Sequence, residues 1–385
     1  MWIDRYTTTE IENLCTLFPV TALLGPRQCG KSSLARHIIS KYDNPILLDL
    51  ESPADLRKLE EPELFFEANR ERIICLDKIQ NAPHLFPVIR VEVDRLREPG
   101  RFLILGSASP ELLRQGSETL AGRIAFHELT PFQYREVGWA PENMRALWSR
   151  GGFPDAYLAP SDAATVLWRK NFVATFLQRD LPALGLRIDS NRLMKMLMLC
   201  ANSQGQLLNA SKMAQYLEVS AQTVRNHLEL LTNTFLLRVL PPFTSNIKKR
   251  LVKTPKVYFR DQGLLHQLLH IDSFNELLGH PIQGVSWEGF AIEQIAATLP
   301  DAHLSFYRTS HGAEIDLLID IKNHRMAVEF KSSKAPKISK GLHNAIADLD
   351  IKDAWVVIPS DDQYPTTKNI QVAGLAPFLK HLQRI

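Results

Sequence analysis

Residues Gly25-Pro26-Arg27-Gln28-Cys29-Gly30-Lys31-Ser32 follow the pattern G-x-x-x-x-G-K-[ST]. They stand between an apolar run, Val20 to Leu24, and a stretch of helical character from Lys31 to Tyr42. A buried strand that feeds such a turn and then a helix is the context in which the pattern forms a phosphate cradle. Gly25 and Gly30 let the backbone turn sharply and aim its N–H groups inward, and the helix N-terminus adds partial positive charge. Lys31 is predicted to reach the terminal phosphates, and the Ser32 hydroxyl to ligate magnesium. The expected ligand contacts are Gly25, Pro26, Arg27, Gln28, Cys29, Gly30, Lys31, Ser32 and Ser33, and the expected ligand is a nucleoside triphosphate with Mg2+.

Further apolar runs, Ile46–Leu50, Ile73–Leu76, Phe102–Leu105 and Ile124–Phe126, alternate with helical stretches, which predicts βαβ units and a parallel sheet. Ligands of such sheets sit at the carboxyl ends of the strands. Asp77 ends the third run, the place of a Walker B aspartate that holds magnesium through water. Ser107 follows the fourth, where a small polar residue can sense a terminal phosphate. At 385 residues the chain has room for two or three domains. A net charge of +3 is too small to argue for a polyanionic partner, so local clusters must do so. Four cysteines, far apart and without C-x-x-C spacing, point to neither zinc nor a disulfide framework, and a reducing cytoplasm is the expectation. Neither a signal peptide nor a membrane span is read in the sequence.

Leu76-Asp77-Lys78-Ile79-Gln80-Asn81 resembles the second signature of bacterial and archaeal AAA+-type ATPases that carry a C-terminal domain of unknown function. Leu105-Gly106-Ser107-Ala108-Ser109 resembles their third. Leu120-Ala121-Gly122-Arg123 with Leu129-Thr130-Pro131-Phe132 resembles the fourth, and Gly151-Gly152-Phe153-Pro154 a fifth. The resemblance runs over nearly the whole chain. It implies ATP as the nucleotide, with Mg2+, and an oligomeric ring in which Arg123 or Arg179 reaches a neighbour's phosphate. One position departs from the family. Where it has a glutamate that polarises the attacking water, this chain has Lys78, whose reference pKa of about 10.4 prevents it from accepting a proton at neutral pH. Glu51, just past the end of the second run, is the substitute carboxylate, and slow turnover is expected.

The resulting expectation is an α/β architecture. Residues 1–135 form a P-loop AAA+-like parallel-sheet domain, 136–204 a helical lid or linker, 205–260 a winged helix-turn-helix, and 261–385 a restriction-endonuclease-like domain. In the lid the apolar and basic residues are Trp168, Arg169, Lys170, Phe172, Phe176 and Arg179. In the third part, Met213, Ala214, Leu217, Val219, Val224, Leu228 and Leu231 mark the buried faces of two helices, with Ser220 as an N-cap. The second helix is expected to expose Gln222, Thr223, Arg225, Asn226 and His227 to DNA. Lys248, Lys249, Arg250, Lys253 and Lys256, between two wing strands, are expected to meet phosphates.

In the last part, Glu314-Ile315-Asp316-Leu317-Leu318-Ile319 and Val328-Glu329-Phe330-Lys331 read as strands, with Glu329 and Lys331 on one face. An acidic residue followed by E-x-K on the next strand resembles the PD-D/E-x-K nucleases. That resemblance implies Asp316 and Glu329 as Mg2+ ligands and Lys331 as the residue that activates water. Glu288 shares a helical face with Ile292, Ile295 and Leu299 and completes the set, with Glu293 as the runner-up. Two functions follow. One is an ATPase that processes DNA, with Lys31, Asp77, Ser107, Glu51, Arg123 and Lys331 in catalytic roles. The other is a nucleotide-gated switch that binds nucleic acid or a protein with little turnover.

Overall fold

The computed structural model describes residues 2–107, 120–183, 189–244, 251–333, 335–367 and 369–385. Two compact units are present: residues 1–132 with 233–235, and residues 133–232 with 236–385.

The first unit is a five-stranded parallel sheet in the order β2-β3-β4-β1-β5, built from β1 (Val20–Leu24), β2 (Ile46–Asp49), β3 (Ile74–Asp77), β4 (Phe102–Gly106) and β5 (Ile124–Glu128). The central strands β1, β3 and β4 are buried at every position because helices cover both faces, and they are apolar apart from Thr21 and Asp77. Ala22, Leu24, Ile74, Leu76, Phe102 and Ile104 point to the side of helices Pro62–Ala68 and Leu85–Arg95. Leu23, Cys75, Leu103 and Leu105 point to the side of helices Thr8–Leu17 and Lys31–Ile39. That alternation fixes the register of each strand, since a slip of one residue would exchange its two faces. The sheet order inserts β4 between the strand that carries the phosphate-binding loop and the strand that ends in Asp77, so the ends of β1, β4 and β3 lie side by side.

The second unit begins with helices that share one core, in which Trp168, Phe172 and Phe176 pack among Leu193, Met196 and Leu197. Trp168, Phe172 and Phe176 therefore serve that core, and the Arg169 guanidinium is buried there as a donor to the Ser149 and Ile271 carbonyls. Helices Ala210–Leu217 and Ala221–Asn233 follow, separated by Glu218 in the left-handed region. Asn209 caps the first by accepting from Lys212 N at 2.9 Å, and Ser220 caps the second by accepting from Thr223 N at 3.0 Å. Met213, Ala214, Leu217, Val224, Leu228 and Leu231 are buried as expected. β6 (Leu237–Leu240) and β7 (Lys256–Phe259) then pair antiparallel.

The chain ends in a six-stranded mixed sheet, ordered β12-β13-β11-β10-β9-β8. Its strands are β8 (His303–Arg308), β9 (Glu314–Ile321), β10 (His324–Phe330), β11 (Asp353–Ile358), β12 (Gln363–Thr367) and β13 (Ile370–Gly374). β8, β9 and β10 form an antiparallel meander, and helix Lys340–Asp348 makes the crossover that lets β11 pair parallel to β10. Helix Gln283–Thr298 packs against β10, with Trp287, Ile292 and Ile295 buried.

Two surface expectations are corrected. His227 is buried, because it lies three residues after Val224 and one before Leu228, on the core face of its helix. Lys256 is on β7 and 4% exposed, so it does not offer its charge to solvent phosphates. Lys253 is exposed. Lys248, Lys249, Arg250, Ala108 and Ser109 lie outside the described residues.

Candidate functional site

The loop after β1 turns through residues in the left-handed region. Gly25 has φ +151°, Gly30 has φ +101° and Gln28 has φ 61°. A Cβ on Gly25 would stand 2.2 Å from the Leu129 carbonyl oxygen, so only glycine fits where the segment after β5 crosses the loop. Lys31 opens the following helix and is buried. Its Nζ donates to the carbonyls of Gly25 at 2.8 Å and Pro26 at 2.7 Å. Burial lowers its pKa, an effect partly offset by the Cys29 sulfur and the Asp77 carboxylate nearby. Ser32 Oγ donates to Asp77 Oδ2 at 2.5 Å. The loop hydroxyl and the carboxylate at the end of β3 therefore converge across β4, and these two oxygens could hold a Mg2+. Gln80, in the string after Asp77, donates to Ser107 Oγ at 3.0 Å and ties the ends of β3 and β4 together. Ser33 is exposed on the helix.

Lys78 takes φ 63°, ψ 47°, unusual for a residue with a long side chain. Its Nζ reaches Glu51 Oε2 at 2.7 Å and both Asp49 oxygens at 3.1 Å. Burial works against its charge, but the bonds to Glu51 and Asp49 outweigh it and hold the ammonium above its ordinary pKa. Glu51 also pairs with Arg27 of the loop at 3.5 Å. Arg123 donates to Asp94 Oδ1 at 2.6 Å and to the Ala121 carbonyl at 3.0 Å. Arg179 is exposed.

A second constellation lies in the C-terminal unit. A cavity of about 410 Å³ is lined by Lys256, Glu288, Glu314, Asp316, Glu329 and Lys331, among others. At least one oxygen of each of its carboxylates is engaged by a protein group. Tyr258 donates its hydroxyl to Glu288 Oε1, and Lys256 Nζ lies 3.6 Å from the same oxygen and 3.2 Å from Glu314 Oε1. Lys331 donates to Glu329 Oε1 at 2.7 Å, and the Phe330 amide to Asp316 Oδ2 at 3.0 Å. Burial and the Asp316 charge push Glu288 up to about 8 and Glu329 to about 7, with Lys256 and Lys331 opposing, and burial also raises Asp316. Among the described residues no group of three or more His, Cys, Asp or Glu side chains stands arranged to hold a metal ion. Glu293, the runner-up, is instead paired with Arg238 and, at 3.0 Å, with Arg260.

Sequence reasoning did not find Arg5, Tyr258 or Glu314 for these sites. Glu314 had a legible signal, since it precedes Asp316 by two on β9 and shares its face. Arg5 had none. It is buried, and its guanidinium donates to the Cys29 carbonyl at 2.9 Å and the Thr130 carbonyl at 2.6 Å, lying over the Phe132 ring at 5.1 Å.

A glycine-rich loop on the first strand of this sheet, with its lysine, serine and partner aspartate in reach of one another, defines a P-loop nucleotide-binding protein of the AAA type. Comparison with known proteins agrees. A family described as "AAA domain" matches residues 17–138, a domain of unknown function (DUF8612) residues 141–275, and a second (DUF4143) residues 283–378. The proteins Rv2008c of Mycobacterium tuberculosis and Mb2031c of Mycobacterium bovis are each 39% identical over 352 residues, covering 91% of this chain and 79% of theirs. The chain belongs to the family of these mycobacterial proteins, and it carries an AAA-type P-loop domain and a C-terminal DUF4143 domain. Among solved structures, the Walker-type ATPase PABY2304 of Pyrococcus abyssi is 18% identical, with 70% of this chain and 96% of that one covered and a TM-score of 0.45. The RuvB Holliday junction branch migration motor of Thermotoga maritima is 16% identical, with 62% and 90% covered and a TM-score of 0.31. Among the described residues no helix is long and apolar enough to cross a membrane.

Proposed function

We propose that the protein binds ATP with magnesium through Lys31, Ser32 and Asp77, turns it over slowly with Glu51 in the place of the missing glutamate, and acts on DNA. The observation that carries the nucleotide reading is the Ser32–Asp77 contact of 2.5 Å, which brings the loop and the end of β3 to one point. Magnesium held there would neutralise the charge of the β- and γ-phosphates. Lys31 neutralises the terminal phosphates, and Ser107, fixed by Gln80, stands at the end of the strand between. Glu51 accepts the proton of the attacking water; its fixing by Lys78 and Arg27 orients it, and their two cations also weaken it as a base, hence the slow turnover.

DNA as the partner is supported by the two capped helices before the β6–β7 hairpin, the second of which exposes Gln222, Arg225 and Asn226. Assembly into an oligomer, with Arg123 toward a neighbour's nucleotide, is the arrangement proposed for the nucleotide domain. For the C-terminal cavity one observation favours the binding-switch reading over cleavage. Tyr258 and Lys256 engage one oxygen of Glu288, and Lys331 one oxygen of Glu329, contacts that compete with a metal for these carboxylates. The nuclease-like reading of Glu288, Asp316, Glu329 and Lys331 is tested by metal-dependent cleavage, which Asp316→Ala and Glu329→Ala should each abolish without change in ATP binding.

Calorimetric titration of Mg·ATP tests the central reading. Loss of a charge-assisted contact predicts about tenfold to hundredfold weaker binding in Lys31→Ala, and weaker binding in Asp77→Asn only when magnesium is present. Binding unaffected by Lys31→Ala would overturn the assignment. DNA binding should weaken steeply as salt rises.

A further inference from the structure

The phosphate-binding loop is braced from outside by a segment to which the nucleotide reading assigns no role. Leu129-Thr130-Pro131-Phe132 follows β5, and the Leu129 carbonyl faces the loop. The Leu129 oxygen occupies the space where a Cβ on Gly25 would stand and lies 3.4 Å from Cys29 Sγ, while the Leu129 amide donates to the Leu24 carbonyl at 2.7 Å. Arg5 closes the brace. Arg5 is 5% exposed, and its guanidinium lies over the Phe132 ring and joins the Thr130 carbonyl on one side to the Cys29 carbonyl on the other.

The Cys29 carbonyl matters because of the peptide it belongs to. In a planar trans peptide the C=O and the N–H point in opposite directions. The Cys29–Gly30 unit has its carbonyl on Arg5, so its Gly30 N–H is directed away from Arg5 and from the brace. Gly30, at φ +101°, has no Cβ to resist rotation of that unit. A flip would replace an N–H donor by a carbonyl oxygen and turn attraction for a phosphate into repulsion. Resistance to the flip therefore has to come from outside the loop, and a buried cation on the carbonyl supplies it.

We infer that Arg5 is a positioning residue for nucleotide binding, which holds the Cys29–Gly30 peptide with its N–H turned to the phosphates and uses Thr130 and Phe132 as its anchor. The inference rests on the proposal that this loop binds a nucleoside triphosphate. It gives the Leu129-Thr130-Pro131-Phe132 string a physical role, since that string supplies the oxygen that closes on Gly25, the second carbonyl for Arg5 and the ring beneath it.

The test separates positioning from plain stability. Arg101 is the control, a buried arginine of the same unit that also caps backbone carbonyls, those of Asn69 at 3.0 Å and Arg72 at 2.9 Å, but away from the loop. Mg·ATP is titrated calorimetrically into the full-length wild type and into Arg5→Ala, Arg5→Lys and Arg101→Ala, well below each melting temperature. Arg5→Ala should weaken ATP binding about tenfold or more, the order of one charge-assisted hydrogen bond, with Arg5→Lys in between because one donor can still reach Cys29. Arg101→Ala should lower the melting temperature and leave the affinity within about twofold, a difference too small for a lost contact to ligand. Arg5→Ala at wild-type affinity would overturn the inference, and so would Arg101→Ala weakening ATP as much as Arg5→Ala. Should Arg5→Ala not fold, Arg5→Lys decides, and unchanged affinity in it overturns the inference. A wild type that binds no ATP would remove the nucleotide reading itself, a result distinct from an Arg5 variant that binds as well as wild type.

Discussion

Lys78 and Glu288 show how single side chains set what each site can do. Lys78 stands where a water-polarising carboxylate is expected, and its left-handed backbone carries a strain that the bonds to Glu51 and Asp49 offset. Glu288 is a carboxylate whose burial, beside Asp316, raises its pKa from 4.5 to about 8. Between those two pH values the folded protein keeps a proton that the unfolded chain has released, so stability falls as pH rises through that window. In the presence of a chelator the melting temperature should therefore decline from pH 5 to pH 9. Glu288→Gln should flatten the decline and exceed wild type at pH 9, and an equally steep decline in the variant would contradict the assignment. Lys256 is the counter-charge on the same oxygens. Its replacement by methionine removes the cation that holds the Glu288 pKa down, so the decline in melting temperature should shift to higher pH.

At the scale of elements, the loop and its strand act as one unit with the segment after β5. Gly25→Ala drives a methyl group into the Leu129 carbonyl, which stands 2.2 Å from the new Cβ. Thermal unfolding and ATP titration of this variant should both show loss, and normal values of both would mean that the crossing is looser than described. The strands of the first unit were legible because a sheet covered on both faces demands unbroken apolar runs, and Asp77 was legible because it ends one of them. The two helices were legible from spacing and from Ser220 chemistry, while the Asn209 cap was not read from the sequence. His227 was misread from its polarity, although its spacing from Val224 and Leu228 already placed it inside. Lys256 was misread as part of a basic stretch, because nothing local announces that its partners are Glu288 and Glu314, tens of residues on. Arg5 escaped notice for the same reason. Its role is set by carbonyls of Cys29 and Thr130, and carbonyls leave no mark in a sequence.

The whole chain joins a nucleotide domain to a unit with capped helices, a hairpin and a carboxylate cavity. If DNA is the partner, Arg225→Ala together with Asn226→Ala should weaken binding and reduce its salt dependence in a fluorescence anisotropy titration, while ATP affinity stays unchanged. Equal DNA affinity in the double variant would remove that helix from the interface. If assembly completes the nucleotide site, ATP turnover per chain should rise with protein concentration, and Arg123→Ala should abolish the rise. The most direct test of the account is steady-state phosphate release from Mg·ATP by wild type, Glu51→Gln and Lys78→Glu. The account predicts a slow wild type, loss of turnover with retained ATP binding in Glu51→Gln, and faster turnover in Lys78→Glu. A brisk wild-type rate left unchanged by both substitutions would contradict it.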